Sequence, residues 1–364
     1  MKSNWLGERS TYRALSRKCT APKLIAASAL LIACVFASAL TLVASAAPTA
    51  SHTRSYSITD LGTLGGASSS ASAINNRGQI VGSSSLSGDV SFHAFLYERG
   101  RMIDLLPGST DSFASDINNR GEVVGTLGDR AFLYRRGTVT LLGLGGSRSN
   151  AFGINGRGDV VGWSELAGGP EFIFHAFLYR NGRTIDLTPS LPTEGPDAAN
   201  SIAQAINDRG VVVGESAPVF AFPPRSSPFL WRKGTLIDLN LALSPSESAS
   251  PLDINNARDV VGFSFDFALN ENTAVLLRRG RLISLGPGVA TSINNSGQVV
   301  GVIPGDGDGG FLWKNGTRTA LNTLLPPGSG WTNLSAEDIN DRGQIVGGGI
   351  HNGAFHAFLL SPSN

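Results

Sequence analysis

Residues 73–82, which read AINNRGQIVG, decide the fold because recast versions of this stretch return along the chain. The equivalent Ile-Asn pairs lie between 37 and 52 residues apart and start at seven positions: Ile74, Ile117, Ile154, Ile206, Ile254, Ile293 and Ile339. Self-similarity at such a period is the signature of a repeat architecture, in which each repeat is one supersecondary unit. The repeats therefore set the architecture before any single residue is considered.

Each repeat reads as four short strands. In the first repeat one strand ends at Ile74, a turn follows over 75–78, and further strands are predicted over 79–82, 93–97 and 101–105. Valine, isoleucine and aromatic residues dominate these segments, while glycine and asparagine, which tolerate the positive φ of tight turns, separate them. Consecutive apolar residues such as Val123-Val124 are typical of strands that are covered on both faces.

Seven repeats of four strands predict an all-β chain, folded as a seven-bladed β-propeller with four antiparallel strands per blade. The last repeat ends after residues 357–360 and lacks a fourth strand, whereas residues 56–61 match a fourth strand and nothing else. We therefore expect the N-terminal strand to complete the last blade and close the ring, which removes an exposed sheet edge. This assigns residues 47–364 to a single propeller domain.

Residues 1–46 differ from the repeats. Six Lys or Arg residues precede an apolar run over 24–43, and Ala44-Ser45-Ala46 then resembles a signal-peptidase site. A signal peptide cleaved after Ala46 is predicted; the alternatives are an uncleaved anchor, since the run is long enough to cross a ~30 Å hydrocarbon core, and a lipoprotein box ending at Cys34. All three predict an extracellular or periplasmic protein. Both cysteines, Cys19 and Cys34, lie in this leader, so the remaining chain has no disulfide and no thiolate ligand.

Charge divides between the two expected faces of the propeller. Beyond the leader there are 23 Lys and Arg against 27 Asp and Glu, a net of −4. Of these cations, 19 fall in or beside the short loops that join strands 1–2 and 3–4, whereas acids prevail in the longer, variable loops 2–3 and 4–1. Insertions concentrated on one side of a repeat array mark its binding face. The basic face predicts either a solubilising surface or contact with an anionic envelope surface.

Aromatic and acidic residues gather in the variable loops. The candidate binding residues on this face are Trp163, Glu165, Glu171, Phe172, Phe220, Phe222, Phe265, Asp266 and Trp331. Planar rings beside carboxylates are what a sugar-binding or peptide-binding face would use. The alternative is that these side chains pack onto the ends of the blades.

Three histidines occupy the same place in their repeats, at His93, His175 and His356. Because they fall on the third strands of separate blades, they cannot converge on one ion, and we expect each to form hydrogen bonds within its own blade. The glycine-rich loop with Asp306 and Asp308 predicts at most weak Ca²⁺ binding, since it lacks the distal glutamate of an EF-hand loop. No other cofactor is expected.

Three acidic residues, Asp116, Asp253 and Asp338, directly precede the repeated isoleucine on the innermost strand. We therefore expect them to approach the central channel. There are two interpretations: the three carboxylates hold a cation between them, or they are solvated or bonded to the turns.

The His-Ala-Phe motif, together with Ile-Asn-Asn-x-Gly-x-Val-Val-Gly and the stretch 60–66 (DLGTLGG), resembles the HAF family of extracellular bacterial repeats. The chain departs from this pattern at Arg130, 227–229 and 273–275. The resemblance implies an exported repeat protein and no particular activity.

We therefore predict an exported, non-catalytic binding scaffold, monomeric, which meets a protein or glycan partner at the cell surface or in the periplasm and not a nucleic acid. The alternative is a polysaccharide lyase or glycoside hydrolase that uses two loop carboxylates about 5 to 9.5 Å apart.

Overall fold

The computed structural model describes residues 56–89, 91–170, 172–191, 199–219, 226–239, 247–303 and 309–363. The leader and the candidate residues Glu171, Phe220, Phe222, Asp306 and Asp308 fall outside these ranges, so the predictions made for them stay predictions. Within the described ranges, no helix is both long enough and apolar enough to pass through a bilayer.

Strands make up almost all of the regular structure that is described. The chain begins with β1 (Tyr56–Asp60), β2 (Gly65–Ile74), β3 (Ile80–Leu86), β4 (Phe92–Glu98), β5 (Arg101–Asp104), β6 (Ser112–Ile117), β7 (Val123–Leu127), β8 (Arg130–Arg135) and β9 (Thr138–Leu142). It continues with β10 (Gly145–Ile154), β11 (Val160–Leu166), β12 (Phe174–Arg180), β13 (Arg183–Asp186), β14 (Ala199–Ile206), β15 (Val212–Pro218), β16 (Ser227–Arg232) and β17 (Thr235–Asp238). The remaining elements are β18 (Glu247–Ile254), β19 (Val260–Asp266), β20 (Glu271–Arg278), β21 (Arg281–Pro287), β22 (Val289–Ile293), β23 (Val299–Val302), β24 (Gly310–Lys314), β25 (Thr317–Ala320), a short 3₁₀ helix (Leu321–Leu324), β26 (Trp331–Ile339), β27 (Ile345–His351) and β28 (Ala354–Pro362).

These strands form seven four-stranded antiparallel sheets, the blades of a seven-bladed β-propeller. Blades 1 to 6 take four consecutive strands each, from β2–β5 to β22–β25, and blade 7 has the order β1-β28-β27-β26. The first strands of adjacent blades contact one another around the whole ring. The fold class predicted from the repeats is therefore confirmed.

The N-terminal strand closes the ring as the sequence predicted. It runs antiparallel to β28, with Tyr56 opposite Pro362 and Asp60 opposite Phe358. Tyr56 is buried in the same cluster as Phe358, so β1 contributes apolar contacts as well as backbone hydrogen bonds. The two ends of the described chain thus meet in a single sheet.

The core lies between the blades, where seven clusters of buried apolar side chains each join two neighbours. The second strand of a blade contributes to two of these clusters. In blade 2, Val123 packs toward blade 1, while Val124 packs toward blade 3. Successive side chains on a strand point to opposite faces of its sheet. The paired apolar residues of the repeat therefore fill two different interfaces, which confirms that both faces of these sheets are covered.

On each second strand, a glycine follows the pair of apolar residues. This glycine lies opposite a β-bulge in the first strand of the same blade. In blade 3, the register shifts between Ala151 and Gly153, and a Cβ added to Gly162 would lie 1.9 Å from the carbonyl oxygen of Asn150. Some first strands also run further than the sequence suggested, since β2 begins at Gly65. Serine, glycine and alanine fill that extension, and they carry little strand signal.

Candidate functional site

A closed ring of asparagine side chains surrounds the central channel at the face of the 1–2 turns. The amide nitrogen of Asn75 donates to the backbone carbonyl of Asn118, and Asn118 donates in the same way to Asn155. The contact repeats at every blade, with distances between 2.9 and 3.2 Å, through Asn155, Asn207, Asn255, Asn294 and Asn340. The sequence predicted that these asparagines belong to the turns; the structure shows that they also join neighbouring blades.

Each of these asparagines also stabilises its own turn. In blade 1 the side-chain oxygen of Asn75 accepts hydrogen bonds from the backbone N–H groups of Arg77 and Gln79. All seven asparagines of the ring are buried at 3–5% exposure. They surround a narrow cavity of about 180 Å³. The ring therefore acts as a structural element and leaves room for little more than solvent.

The carboxylates predicted at the channel do reach it, where each joins two blades. Asp116 accepts the N–H of its neighbour Ile117 at 2.7 Å and that of Ile154 in blade 3 at 2.8 Å. Burial raises the pKa of Asp116 to about 7, because two backbone hydrogen bonds only partly offset the loss of hydration, and the negative charges of Asp338 and Asp253 add to it. These carboxylates thus lie close enough to influence one another.

Ser292 bridges two of the channel carboxylates. Its hydroxyl oxygen lies 3.0 Å from Asp253 and 2.7 Å from Asp338. One hydroxyl hydrogen can serve only one of these two oxygens, so a second proton on a carboxyl group is needed to satisfy both contacts. The pKa of Asp253 agrees with this, since burial and the nearby charge of Asp338 raise it to about 6. Ser292 therefore holds the carboxylates of Asp253 and Asp338 close together at the channel.

The repeated histidines form hydrogen bonds within their own blades, as the sequence predicted. The Nδ1 atoms of His93 and His175 each lie 2.8 Å from an aspartate on the fourth strand, Asp104 and Asp186 respectively. Both imidazole side chains are almost fully buried, at 4% and 2% exposure. Their role in blades 1 and 3 is therefore structural.

The face of the 1–2 and 3–4 turns carries arginines that are partly paired with acids. Glu122 binds Arg120 from its own turn at 2.6 Å and Arg135 from the adjacent 3–4 turn at 2.5 Å. These side chains line a depression of about 620 Å³ together with Arg136 and Arg157. Four arginines against one glutamate leave this depression with an excess of positive charge.

On the opposite, variable face, Glu165 is held by an arginine rather than exposed. It accepts hydrogen bonds from the Arg148 guanidinium at 2.8 Å and from the Ser147 hydroxyl at 2.6 Å. These bonds, Arg148 foremost, lower the pKa of Glu165 to about 2. The same guanidinium lies over the exposed ring of Phe172, 4.7 Å from its centroid. Both Glu165 and Phe172 thus contact the guanidinium of Arg148.

A groove of about 470 Å³ opens on the variable face across blades 3, 4 and 5. Its walls carry four half-buried phenylalanine rings and one carboxylate: Phe174, Phe263, Phe265, Phe267 and Glu215. Phe265 and Phe267 meet edge to face at 5.0 Å, and Phe174 packs against Trp163 at 4.8 Å. The structure therefore places Trp163 beside this groove and Phe265 in its wall.

A known family matches much of this chain. The family, described as a protein of unknown function (DUF3466), matches residues 146–353, more than half of the 364 residues. The chain belongs to this family. The resemblance to HAF repeats, drawn from the motif alone, stays a prediction.

Two solved structures are similar to this DUF3466 protein in fold. One is TolB from Acinetobacter baumannii, with 9% identity and a TM-score of 0.36; the similarity covers 75% of this chain and 60% of that one. The other is a protein of unknown function from Dyadobacter fermentans DSM 18053, with 11% identity, a TM-score of 0.40, and coverage of 84% and 99%. No curated protein matches the sequence. Likenesses this low carry no argument about function.

The other described residues that were predicted to bind a partner, Asp266 and Trp331, do not line the groove of this DUF3466 propeller. Asp266 accepts the N–H of Ala268 in the β19–β20 turn. Trp331 belongs to blade 7, where it is 7% exposed and stacks on His351. Sequence reasoning missed that His351 and His356 share one aspartate, Asp60. The signal was the Asp-Leu pair at the end of the fourth strand in blades 1, 3 and 7, since Asp104 and Asp186 bind the equivalent histidines.

Proposed function

We propose that this protein is an exported, non-catalytic binding scaffold that takes up a glycan or protein partner in the groove of its variable face. The observation that carries the proposal is the cluster of half-buried rings, Phe174, Phe263, Phe265 and Phe267, in one concave surface. Concave sites lined by aromatic side chains with a few polar groups are where ligands bind most often. Ser250 and Glu215, joined by a 2.6 Å hydrogen bond, supply polar groups in that wall.

The lyase or hydrolase alternative is less well supported. A general acid of that class needs a raised pKa, whereas the pKa of Glu165 is lowered to about 2 by Arg148 and Ser147. Glu165 is therefore ionised at any physiological pH and engaged with a cation. Glu165 therefore does not fit the role of the general acid.

The test is a glycan and peptide array probed with the protein, followed by product analysis of every hit. We expect binding without release of oligosaccharide, and at least tenfold weaker binding by a Phe174→Ala/Phe265→Ala double variant. The matched control is Phe92→Ala/Phe113→Ala, since these rings are 37% and 44% exposed and stack at 6.2 Å between blades 1 and 2. Equal loss in both variants would argue against the groove, and released oligosaccharide would establish the enzyme.

Export belongs to the same proposal and rests on residues 1–46 of the sequence. Intact mass of the exported protein tests it: a mass that begins after Ala46 supports a cleaved signal peptide, and retention of the leader supports an anchor.

The opposite face supports a second contact, with an anionic envelope surface. The depression around Glu122 exposes Arg120, Arg135, Arg136 and Arg157, an excess of positive charge. Basic surfaces attract anionic headgroups over about a Debye length. We expect the protein to sediment with anionic and not with neutral vesicles at low salt. An Arg136→Glu/Arg157→Glu variant should no longer sediment with anionic vesicles, while the Phe174→Ala/Phe265→Ala variant should still do so.

A further inference from the structure

Blade 7 holds a cluster of side chains that lies outside the groove and the channel. Asp60, at the end of β1, accepts hydrogen bonds from two imidazoles through one oxygen: Nδ1 of His351 lies 3.0 Å from Oδ2, and Nδ1 of His356 lies 2.9 Å from it. One donor atom from each of the three residues lies within 4.8 Å of the other two. Among the described residues, no other trio of histidine, cysteine and acidic side chains is so compact.

We propose that Asp60, His351 and His356 bind a divalent transition-metal ion of the zinc class. Two imidazole nitrogens and one carboxylate form the donor set of zinc sites that keep a position open for a further ligand. Donors bound at ~2.0–2.2 Å in tetrahedral geometry lie about 3.4 Å apart. The Asp60 oxygens and the two Nδ1 atoms are already 2.9–3.1 Å apart, so they need to separate by only a few tenths of an ångström to bind an ion.

Comparison with blades 1 and 3 shows how the histidine–aspartate cluster of blade 7 differs from theirs. Blades 1 and 3 contain the same histidine–aspartate pair, His93 with Asp104 and His175 with Asp186, each at 2.8 Å. Those two imidazoles are only 4% and 2% exposed, whereas His351 and His356 are 24% and 21% exposed. Blade 7 therefore adds a third donor and admits solvent, which are the two properties that a metal site requires and a structural pair does not.

Neighbouring groups hold the three donors in place. The ring of Trp331 stacks on the His351 imidazole at 4.6 Å with an interplanar angle of 3°. The N–H of Gly62 donates to Asp60 Oδ1 at 2.8 Å. The carboxylate is thus oriented, as a ligand must be.

When the ion binds, each neutral imidazole must change its tautomer. No proton is released overall. Each imidazole gives its Nδ1 lone pair to the ion, and its hydrogen moves to Nε2. At His351, Nε2 now lies 3.3 Å from the amide nitrogen of Asn352. Rotation of that amide would present its oxygen to the new Nε2–H and so support the metal-bound tautomer.

The position of the site connects metal binding to ring closure. Asp60 belongs to β1, His351 to β27 and His356 to β28, so one ion would tie the N-terminal strand to its neighbour β28 and to β27, the next strand of blade 7. A ligand that binds only the folded state stabilises it by mass action. We therefore expect the melting temperature to rise with Zn²⁺ concentration and to fall again with a chelator.

The experiment is titration of the chelator-treated protein with Co²⁺, followed by its visible absorption, and with Zn²⁺ by calorimetry. One equivalent is expected to bind, and Ca²⁺ should not displace it, since Ca²⁺ prefers oxygen ligands. His351→Phe keeps a ring stacked on Trp331 while removing a donor, and should weaken Zn²⁺ binding by about 100-fold or more. His93→Gln and His175→Gln are the matched controls and should bind as the wild type does.

A second measurement does not depend on the folding of a His351 variant. Cu²⁺ bound beside His351 should quench the fluorescence of Trp331, so the quenched fraction should disappear in Trp331→Phe. Failure of the wild type to bind one equivalent of Co²⁺ or Zn²⁺ would overturn the proposal. So would unchanged affinity in a folded His351→Phe variant, or equal loss in His175→Gln.

Discussion

The side-chain amide of Asn340 donates a hydrogen bond to the backbone carbonyl of Asn75 at 3.1 Å, across 265 residues of sequence. It is one of the contacts that join blade 7 to blade 1, and it repeats the bond that links every other pair of adjacent blades. The ring is therefore closed both at the channel, where this bond lies, and at the outer part of blade 7, where β1 pairs with β28. Both closures bring together residues from opposite ends of the described chain.

Removal of one asparagine side chain from this ring should destabilise the whole propeller. Asn340→Ala leaves the backbone carbonyl of Asn75 without its buried donor and the part-buried N–H groups of Arg342 and Gln344 without their side-chain acceptor. Unsatisfied buried polar groups cost about 1–3 kcal/mol each, so we expect a loss of about 2–4 kcal/mol in the free energy of unfolding, measured in urea.

The matched control for this variant is Asn76→Ala. Its side-chain oxygen also accepts an N–H from blade 7, that of Asp341, but the residue is only half-buried. We expect it to cost less than about 1 kcal/mol. Equal effects of the two substitutions would show that the buried ring has no special role.

Deletion of β1, residues Tyr56–Asp60, should lower the stability of all seven blades together. The deletion exposes the edge of β28 and removes Tyr56 from the cluster between blades 6 and 7. Because each interface depends on its neighbours around a closed ring, we expect one cooperative transition at a lower temperature, measured by calorimetry. Ser57→Ala, on the same strand but exposed, is the control. Local fraying with an unchanged main transition would contradict the closure.

The glycine that faces the bulge of a first strand should not tolerate a methyl group. In Gly162→Ala the new Cβ would lie 1.9 Å from the carbonyl oxygen of Asn150, so the two strands would have to separate. We expect a cost of about 3 kcal/mol or more in the free energy of unfolding, as for other overpacked positions. Gly137→Ala has open space around its Cβ and only a positive φ of 83°, and should cost about 1 kcal/mol. Thermal melts of the two variants give the comparison.

The channel carboxylates should make the protein less stable as the pH rises. The pKa of Asp116 is raised to about 7, above its unfolded value of about 3.9, so between these values the folded state binds a proton that the unfolded state does not. The stabilising effect is therefore complete below pH ~4 and lost as the pH rises through about 7.

The measurement is the free energy of unfolding of the wild type and of Asp116→Asn across this pH range. The difference between the two should change by about 1–2 kcal/mol, which is less than the full pKa shift would give, because Asp116 is only half-buried by its exposed area. Asp253 and Asp338 titrate in both proteins, and the part of their pH dependence that does not involve the charge of Asp116 cancels. A difference that does not vary with pH would contradict the raised pKa.

Much of the fold followed from local sequence. The paired apolar residues after each turn, such as Val123-Val124, predicted strands covered on both faces, and the structure places them in two interfaces. The unmatched strand at residues 56–61 predicted where the ring closes. The histidines at 93 and 175 were expected to bond within their blades, and they do. These features repeat at fixed spacing, so each copy reinforced the interpretation of the others.

The candidate sites followed less well, because they depend on single residues that differ between repeats. The sequence grouped Trp331 with Phe265 as loop residues, but blade 7 and blade 5 hold them apart. It gave no reason to connect Glu165 with Arg148, whose guanidinium turns that acid into a buried ion-pair partner. Side-chain contacts of this kind depend on how strands stack and where bulges occur.

By itself, the sequence determined the number of blades, the strand order and the place of closure, because hydrophobic period and turn chemistry are local properties repeated seven times. Only the tertiary structure decided that Asn340 meets Asn75, that Ser292 lies between Asp253 and Asp338, and that Asp60 joins His351 and His356. The physical reason is distance along the chain. Bending the repeats into a ring brings together residues tens to hundreds of positions apart, and no local pattern specifies which of their side chains will touch.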